Sequence, residues 1–277
     1  MGRRRAEQVM VQRIDADRSG GGGGRRMPDD VVVEEPMEIR LDGHLVTTTM
    51  RTPGHDFELA AGYCFAEGLL NGAPVRDIRY CATGSAVDTE FNVVTVSTGG
   101  RAPRPAERLS TTTTSCGLCG STAIEQITAR LEPLPATPAA AARVDASTLA
   151  RVAEAVRARQ PLFDRTGSVH AAAAFDLESG EITCVREDIG RHNAADKVVG
   201  RLLLDGALPA SASGLFLSGR VSLEMVQKAW AAGFPLLAAV GGPSSLAVAT
   251  AHAANLTLVG FLRGDRMTVY TGEGVVA

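Results

Sequence analysis

Aromatic residues make up only 4% of the 277-residue chain, too few for the stacked platforms on which single-stranded nucleic-acid binders lay successive bases. A formal net charge of -3 adds no basic excess, so neither feature supports a general nucleic-acid binder. Five cysteines, Cys64, Cys81, Cys116, Cys119 and Cys184, are an odd number. Three of them stand alone in apolar or strand-like surroundings, which is a poor disulfide framework and points to a reducing, cytoplasmic setting. Arginines at positions 3 to 5 lack the apolar stretch that a secretory or twin-arginine signal places after them. Nor does any run approach the roughly 20 apolar residues that span a bilayer, since Gly233 and Pro235 break the stretch from Ala231 to Val240.

What is present is 45% hydrophobic and 21% charged, enough apolar material for a sizeable core divided into two domains. Residues 1–28 carry seven arginines against three acids, with a glycine run from Gly20 to Gly24. They offer little to pack and are expected to form a disordered tail. Order is expected from Val31, where MEIRL and HLVTTTM flank Asp42-Gly43, a dipeptide suited to a type I′ hairpin. In DFELAAGYCFAEGLL, residues Phe57, Ala61, Cys64, Phe65 and Leu69 recur on one helical face, which assigns Cys64 to a core. The alternating FNVVTVST reads as a strand; a threonine-rich loop then delivers Cys116 and Cys119, and Ile124, Ile127 and Leu131 give the next helix its apolar stripe. Residues 29–140 thus read as a small N-terminal α+β domain carrying the thiol loop, closed by the proline-rich linker EPLPATPAAAAR.

Residues 141–277 read as a second domain. Ser147 can cap a helix bearing Leu149, Val152 and Val156, and HAAAAFDL and EITCVRED bracket a turn as a hairpin. Three helix-strand alternations follow, with continuous apolar strands such as PLLAAV, and MTVYTG closes the chain. This order predicts an α/β protein whose C-terminal domain is a three-layer α/β/α sandwich of the cytidine-deaminase-like kind. Fold does not carry function. Zinc deaminases need H-x-E and P-C-x-x-C to hold the metal and move protons, and neither occurs in this half.

Chemistry is concentrated in TTTTSCGLCG, where Cys116 and Cys119 precede a predicted helix. The partial positive charge of a helix N-terminus favours the thiolate, the reactive form of cysteine. Gly117 and Gly120 leave room for another molecule's sulfur to approach. A structural zinc site would need two further ligands from Cys64, Cys81, Cys184 or scattered histidines. A thioredoxin-like dithiol would sit at a strand-to-helix junction in a βαβ core, unlike this long polar loop. Sulfur transfer fits the setting better: a thiolate takes sulfane sulfur from a donor persulfide, and its neighbour releases it by forming a disulfide. No permanent metal is expected.

Six stretches, MRTPGHDFELAAGYCFAEGLL, TSCGLCG, VHAAAAFD, VREDIGRHNAADKVVG, SGRVSLEMVQKA and GGPSSLAVATAHAANLTLVGFLRGDRMTVYTG, together resemble the FdhD family of formate dehydrogenase accessory sulfurtransferases, from about residue 31 to 272. The resemblance implies a homodimeric sulfur carrier that accepts sulfur from a cysteine desulfurase. It would pass that sulfur to the molybdenum or tungsten bis-molybdopterin guanine dinucleotide cofactor of the formate dehydrogenase catalytic subunit. By the same resemblance Cys116 would hold the persulfide and Cys119 would assist. The alternative is a non-catalytic cofactor chaperone with a zinc- or redox-type C-x-x-C.

Such an acceptor is rich in phosphate. The segment Phe261, Leu262, Arg263, Gly264, Asp265 and Arg266 offers two arginines about a Gly-Asp turn for bidentate phosphate bonds, and an acid for a guanine edge. Further candidates are Arg220 and the amides of Gly241 to Ser245 at a helix start, while His192 either faces the same cleft or hydrogen-bonds in the core, the core being the better fit. His170 reads more readily as a core residue, and Glu187 and Asp188 as surface partners of Arg191.

Overall fold

The computed structural model describes residues 3–14, 24–81, 85–87, 89–105, 129–135, 144–272 and 274–277. The N-terminal segment departs from expectation. In place of a disordered tail, β1 (Ala6–Arg13) and β2 (Arg25–Val32) pair as an antiparallel ribbon. Its arginines and glutamines hide a weak alternation, in which Val9 and Val11 are half-buried while Gln8 and Met10 are exposed. Tertiary contacts fix the ribbon. Ala6 and Val32 pack on Leu162 and Val169, Arg165 bonds Asp30, and Arg5 donates to the Glu187 carbonyl at 3.2 Å.

The following hairpin forms as its sequence predicts. β3 (Glu35–Leu41) and β4 (His44–Arg51) are antiparallel, joined by Asp42 and Gly43 at φ 48° and 88°, the two positive values that a type I′ turn needs. With β5 (Asp77–Tyr80) and β6 (Val93–Ser97) they make a four-stranded sheet in the order β4-β3-β6-β5. Helix α1 (Asp56–Ala66) covers one face and sets Leu59, Ala60 and Cys64 on Met37, Ile39, Val94 and Val96. Burial pushes the Cys64 thiol up to about 12, so this cysteine is a small core hydrophobe.

Beyond the start of the expected linker the chain is laid on the second unit. Trp230 Nε1 donates to the Glu132 carbonyl at 2.8 Å, and the Leu134 amide to Ala254 at 2.9 Å. A boundary near residue 140 and the helix of Ile124 and Ile127 lie outside the described residues. Next come α2 (Ala146–Arg157), with Asp145 rather than Ser147 at its N-cap, and α3 (Pro161–Thr166). The hairpin β7 (His170–Asp176) and β8 (Ile182–Asp188) follows, then α4 (Arg191–Leu204), β9 (Ser213–Leu217), α5 (Leu223–Ala231) and β10 (Leu236–Ala239). Helix α6 (Ser245–Ala254), β11 (Thr257–Arg263) and β12 (Arg266–Thr271) complete the unit.

The strands form one sheet in the order β12-β11-β10-β9-β7-β8, with β9, β10 and β11 parallel. Successive strand residues point to opposite faces. Ala172, Leu215, Leu217 and Leu237 therefore meet α4, α5 and α6, while Ala173, Phe216 and Leu236 meet α2. This is the predicted three-layer α/β/α arrangement, beside a smaller α+β unit.

The two units touch where α1 crosses α4. A Cβ on Gly62 would lie 1.9 Å from the Asp196 carbonyl oxygen, and one on Gly200 would lie 1.8 Å from that of Glu58. Only glycine permits helices so close. Ion pairs surround the crossing: Lys197 to Asp188 at 2.7 Å, Lys228 to Asp196 at 2.7 Å, and Arg186 to Glu58.

Candidate functional site

In open α/β sheets, ligands bind outside the carboxyl ends of the strands. That edge carries a cleft of about 220 Å³. Ser218, Gly219 and Arg220 leave the end of β9, Val240 and Gly241 leave β10, and Arg263 ends β11. Since β7 runs antiparallel to β9, its first residue, His170, arrives at the same edge. Arg191 opens α4 just after β8 and closes the ring.

Bare backbone lets the loops meet. A Cβ on Gly241 would stand 2.7 Å from the Gly219 carbonyl oxygen and 2.8 Å from Arg220 Cα. Beside it, a Cβ on Gly242 would stand 2.5 Å from the Phe261 ring. Phe261 itself has φ 52° and is 47% exposed. A bulky residue in the left-handed region is an outlier that its surroundings must hold; here its amide donates to the Gly241 carbonyl at 3.2 Å.

The charge is one-sided. Among the described residues no carboxylate lies within 4.0 Å of the guanidinium of Arg191, Arg220 or Arg263, and Arg191 Nε is buried without a hydrogen-bond partner. Burial first, then Arg220, lowers the Arg191 value, while Glu224 pulls the other way. Burial also leads in lowering His170, followed by Arg191, His192 and Arg220, with Asp188 opposing. His192 is lowered by burial too, although Glu224 lies 4.0 Å from its Nε2. Loose cations facing a cleft with bare glycine loops are the chemistry of an oxyanion site.

The segment singled out in the sequence divides here. Arg263 lines the cleft and Phe261 stands at its rim, but Leu262 is 1% exposed and packs into the core. Gly264 and Asp265 are the exposed turn between β11 and β12, and Arg266 is exposed at its far side. Ser244 is occupied in capping α6, accepting from the Ala247 amide at 3.2 Å. His170, expected in a core, is in the cleft. Glu187 and Asp188 are not surface partners of Arg191: Glu187 accepts from the amides of Leu162 and Phe163, and Asp188 is buried against Lys197. Arg191 carried a readable signal. A cation at a helix N-terminus opposes the macrodipole, and the first turn of α4 has no acid to offset it.

Cys116 and Cys119 lie outside the described residues. Among the described residues no group of three or more histidines, cysteines or acids could hold a metal, and no helix is long and apolar enough to cross a membrane.

Residues 32–277 match the FdhD/NarQ family. The chain belongs to that family. Its relatives include the sulfur carrier protein FdhD of Streptomyces coelicolor, 52% identical over 257 residues and covering 89% of each chain. The sulfur carrier protein FdhD of Streptomyces avermitilis is 50% identical over 255 residues, again covering 89% of each. The fold matches a crystal structure from Desulfotalea psychrophila, assigned as a formate dehydrogenase accessory protein. Its TM-score is 0.77 at 24% identity, and the match covers 99% of this chain and 100% of that one. In this FdhD/NarQ chain the whole cleft falls within the matched residues, and β1 falls outside them.

Proposed function

We propose that the protein is a sulfur carrier that takes sulfur from a cysteine desulfurase as a persulfide on Cys116. It delivers that sulfur to the bis-molybdopterin guanine dinucleotide cofactor of molybdenum or tungsten, destined for formate dehydrogenase. The observation that carries the reading is the carboxylate-free ring of Arg191, Arg220 and Arg263. Relatives named as sulfur carriers support it. The acceptor is a substrate here, and the residues present suit its phosphates: three guanidinium groups, one of them with an orphaned Arg191 Nε, around glycine loops that leave room for a ligand. At about 220 Å³ the cleft is smaller than the roughly 300–1,000 Å³ of a drug-sized pocket. It therefore suits the phosphate-bearing part of a dinucleotide, with Phe261 at the rim available to stack on a base. Asp265, exposed in the adjoining turn, can accept hydrogen bonds from a guanine edge.

The sulfur chemistry balances with the two cysteines. Cys116 thiolate attacks the outer sulfur of the donor persulfide; a new S–S bond forms, the old one breaks, and the donor leaves as thiolate. Attack by Cys119 on Cys116 Sγ then forms the Cys116–Cys119 disulfide and expels hydrosulfide. The two thiols are oxidised and the carried sulfur is reduced, so a dithiol reductant must reset the pair. In this reading the protein works as a homodimer in the cytoplasm and meets both the desulfurase and the formate dehydrogenase catalytic subunit.

Incubation with a cysteine desulfurase and cysteine, followed by mass spectrometry of the Cys116 peptide, tests the transfer. One added sulfur atom, absent from Cys116→Ala, is the expected result. Stoichiometric zinc with no added sulfur would instead identify a cofactor chaperone. Restored formate dehydrogenase activity with Cys116→Ala would remove the carrier role.

A further inference from the structure

The cleft contains one group that can change its charge near neutral pH without unfolding the protein. His170 begins β7 at the sheet edge, and its ring lies against the loop after β9, where a Cβ on Gly219 would stand 3.3 Å from Nδ1. The charged and titratable groups around it are Arg191 and His192 of α4, Arg220 of the loop after β9, Arg263 at the end of β11, and Asp188 of β8. Asp188 is neutralised by its own partner: its Oδ2 lies 2.7 Å from Lys197 Nζ, and it accepts further bonds from the Gly190 amide and Asn193. The ring thus faces a surplus of fixed positive charge. Among the described residues its side chain has no hydrogen bond.

We propose that His170 is the ligand-gated proton acceptor of the cleft, neutral while the cleft is empty and imidazolium when a multiply charged oxyanion of the phosphate class enters. The inference rests on the reading of the cleft as an oxyanion site and adds a specificity-determining residue to it. The physical reason is reciprocal. An empty ring of guanidinium groups repels a further positive charge, and burial acts in the same direction. Two negative charges placed among those groups offset most of the guanidinium charge and put an acceptor oxygen within reach of the ring, so the ring takes one proton from solvent and its N–H donates to the bound oxygen. A singly charged anion only offsets part of the arginine charge and leaves His170 neutral. Selection between anions then comes from the proton as well as from the arginines.

The sign follows from linkage. A group whose value is low in the free protein and higher in the complex strengthens binding below the free value, and this gain disappears as pH rises through the bound value. Sulfate is the probe because it keeps both charges throughout the range. Calorimetric titration of the full chain between about pH 5.5 and about pH 8 is expected to show affinity falling by up to about tenfold per pH unit, and by roughly 10- to 100-fold in total. In buffers of different ionisation enthalpy, proton uptake on binding is expected. His170→Gln is expected to remove the slope. His192→Gln is expected to keep it, and Arg263→Gln to weaken sulfate at every pH with the slope retained. Equal slopes in the wild type and His170→Gln, or a flat wild-type profile, would overturn the inference while leaving the oxyanion site standing. Absence of sulfate and pyrophosphate binding at every pH would instead overturn the oxyanion reading itself. Should His170→Gln fold poorly, NMR titration of the wild-type His170 ring decides: its midpoint is expected to rise at saturating sulfate, and an unmoved midpoint refutes the proposal.

Discussion

Two regions of this protein are built from the same charged residues and do opposite things with them. Around the crossing of α1 and α4 every buried cation meets its acid: Arg51 with Asp56, Lys197 with Asp188, Lys228 with Asp196. There burial pushes the Asp196 carboxyl up to about 6 against the pull of Lys228; acids outweigh burial at Lys228 and raise its value. At the sheet edge, Arg191, Arg220 and Arg263 have no acid within 4.0 Å among the described residues. A charge desolvated with its partner holds domains in register; one left without a partner is held ready for something else. The distinction lies in the partner, not in the residue type.

The sharpest way to break the comparison is Lys197→Met, which leaves Asp188 buried without its cation. It is expected to cost about 3–5 kcal/mol in urea unfolding, with Lys197→Met/Asp188→Leu costing less than the single change. Next comes Gly200→Ala, which must push α1 from α4 because the new Cβ would meet the Glu58 carbonyl. A loss of about 1–3 kcal/mol is expected, again by unfolding. Arg263→Gln should reverse the pattern, with stability unchanged to about 0.5 kcal/mol and pyrophosphate affinity down roughly tenfold or more by calorimetry. An Arg263→Gln variant that loses stability instead would erase the contrast between the regions.

The smallest effect concerns Arg186 and Glu58. Burial alone would raise Glu58, but Arg186 and His55 outweigh it and hold the carboxyl at about 2. A depressed carboxylate stabilises the fold above its unfolded value, and that gain is lost as pH falls. Arg186→Gln is therefore expected to be about 1 kcal/mol less stable near neutrality, allowing for solvent screening. The gap should close as pH falls from the ordinary glutamate range toward about 2, followed by unfolding at several pH values.

Much of the architecture was legible because it is local. Asp42-Gly43, the helix in DFELAAGYCFAEGLL and the continuous apolar strands each declare themselves within a few residues and formed in place, although α1 is buried on two sides and sets Leu59 and Ala60 beside Cys64 instead of showing one simple stripe. The ribbon of β1 and β2 was not legible. Its alternation is weak, and what holds it, Leu162, Val169 and Arg165, lies more than 100 residues away. The segment from Phe261 to Arg266 was a fair pointer to the cleft, yet strand alternation turns Leu262 into the core and leaves only Arg263 on the lining.

By itself the sequence determined the order of strands and helices from β7 to β12, the family and the pair of thiols, since each is written in short-range periodicity or in contiguous motifs. Only the tertiary structure decided which arginines are free. His170, Arg191, Arg220 and Arg263 come from four separate segments, and the acids that silence Arg51, Lys197 and Lys228 become neighbours only when helices cross and strands align. Whether a charge has a partner is a property of three-dimensional proximity, which no local pattern records.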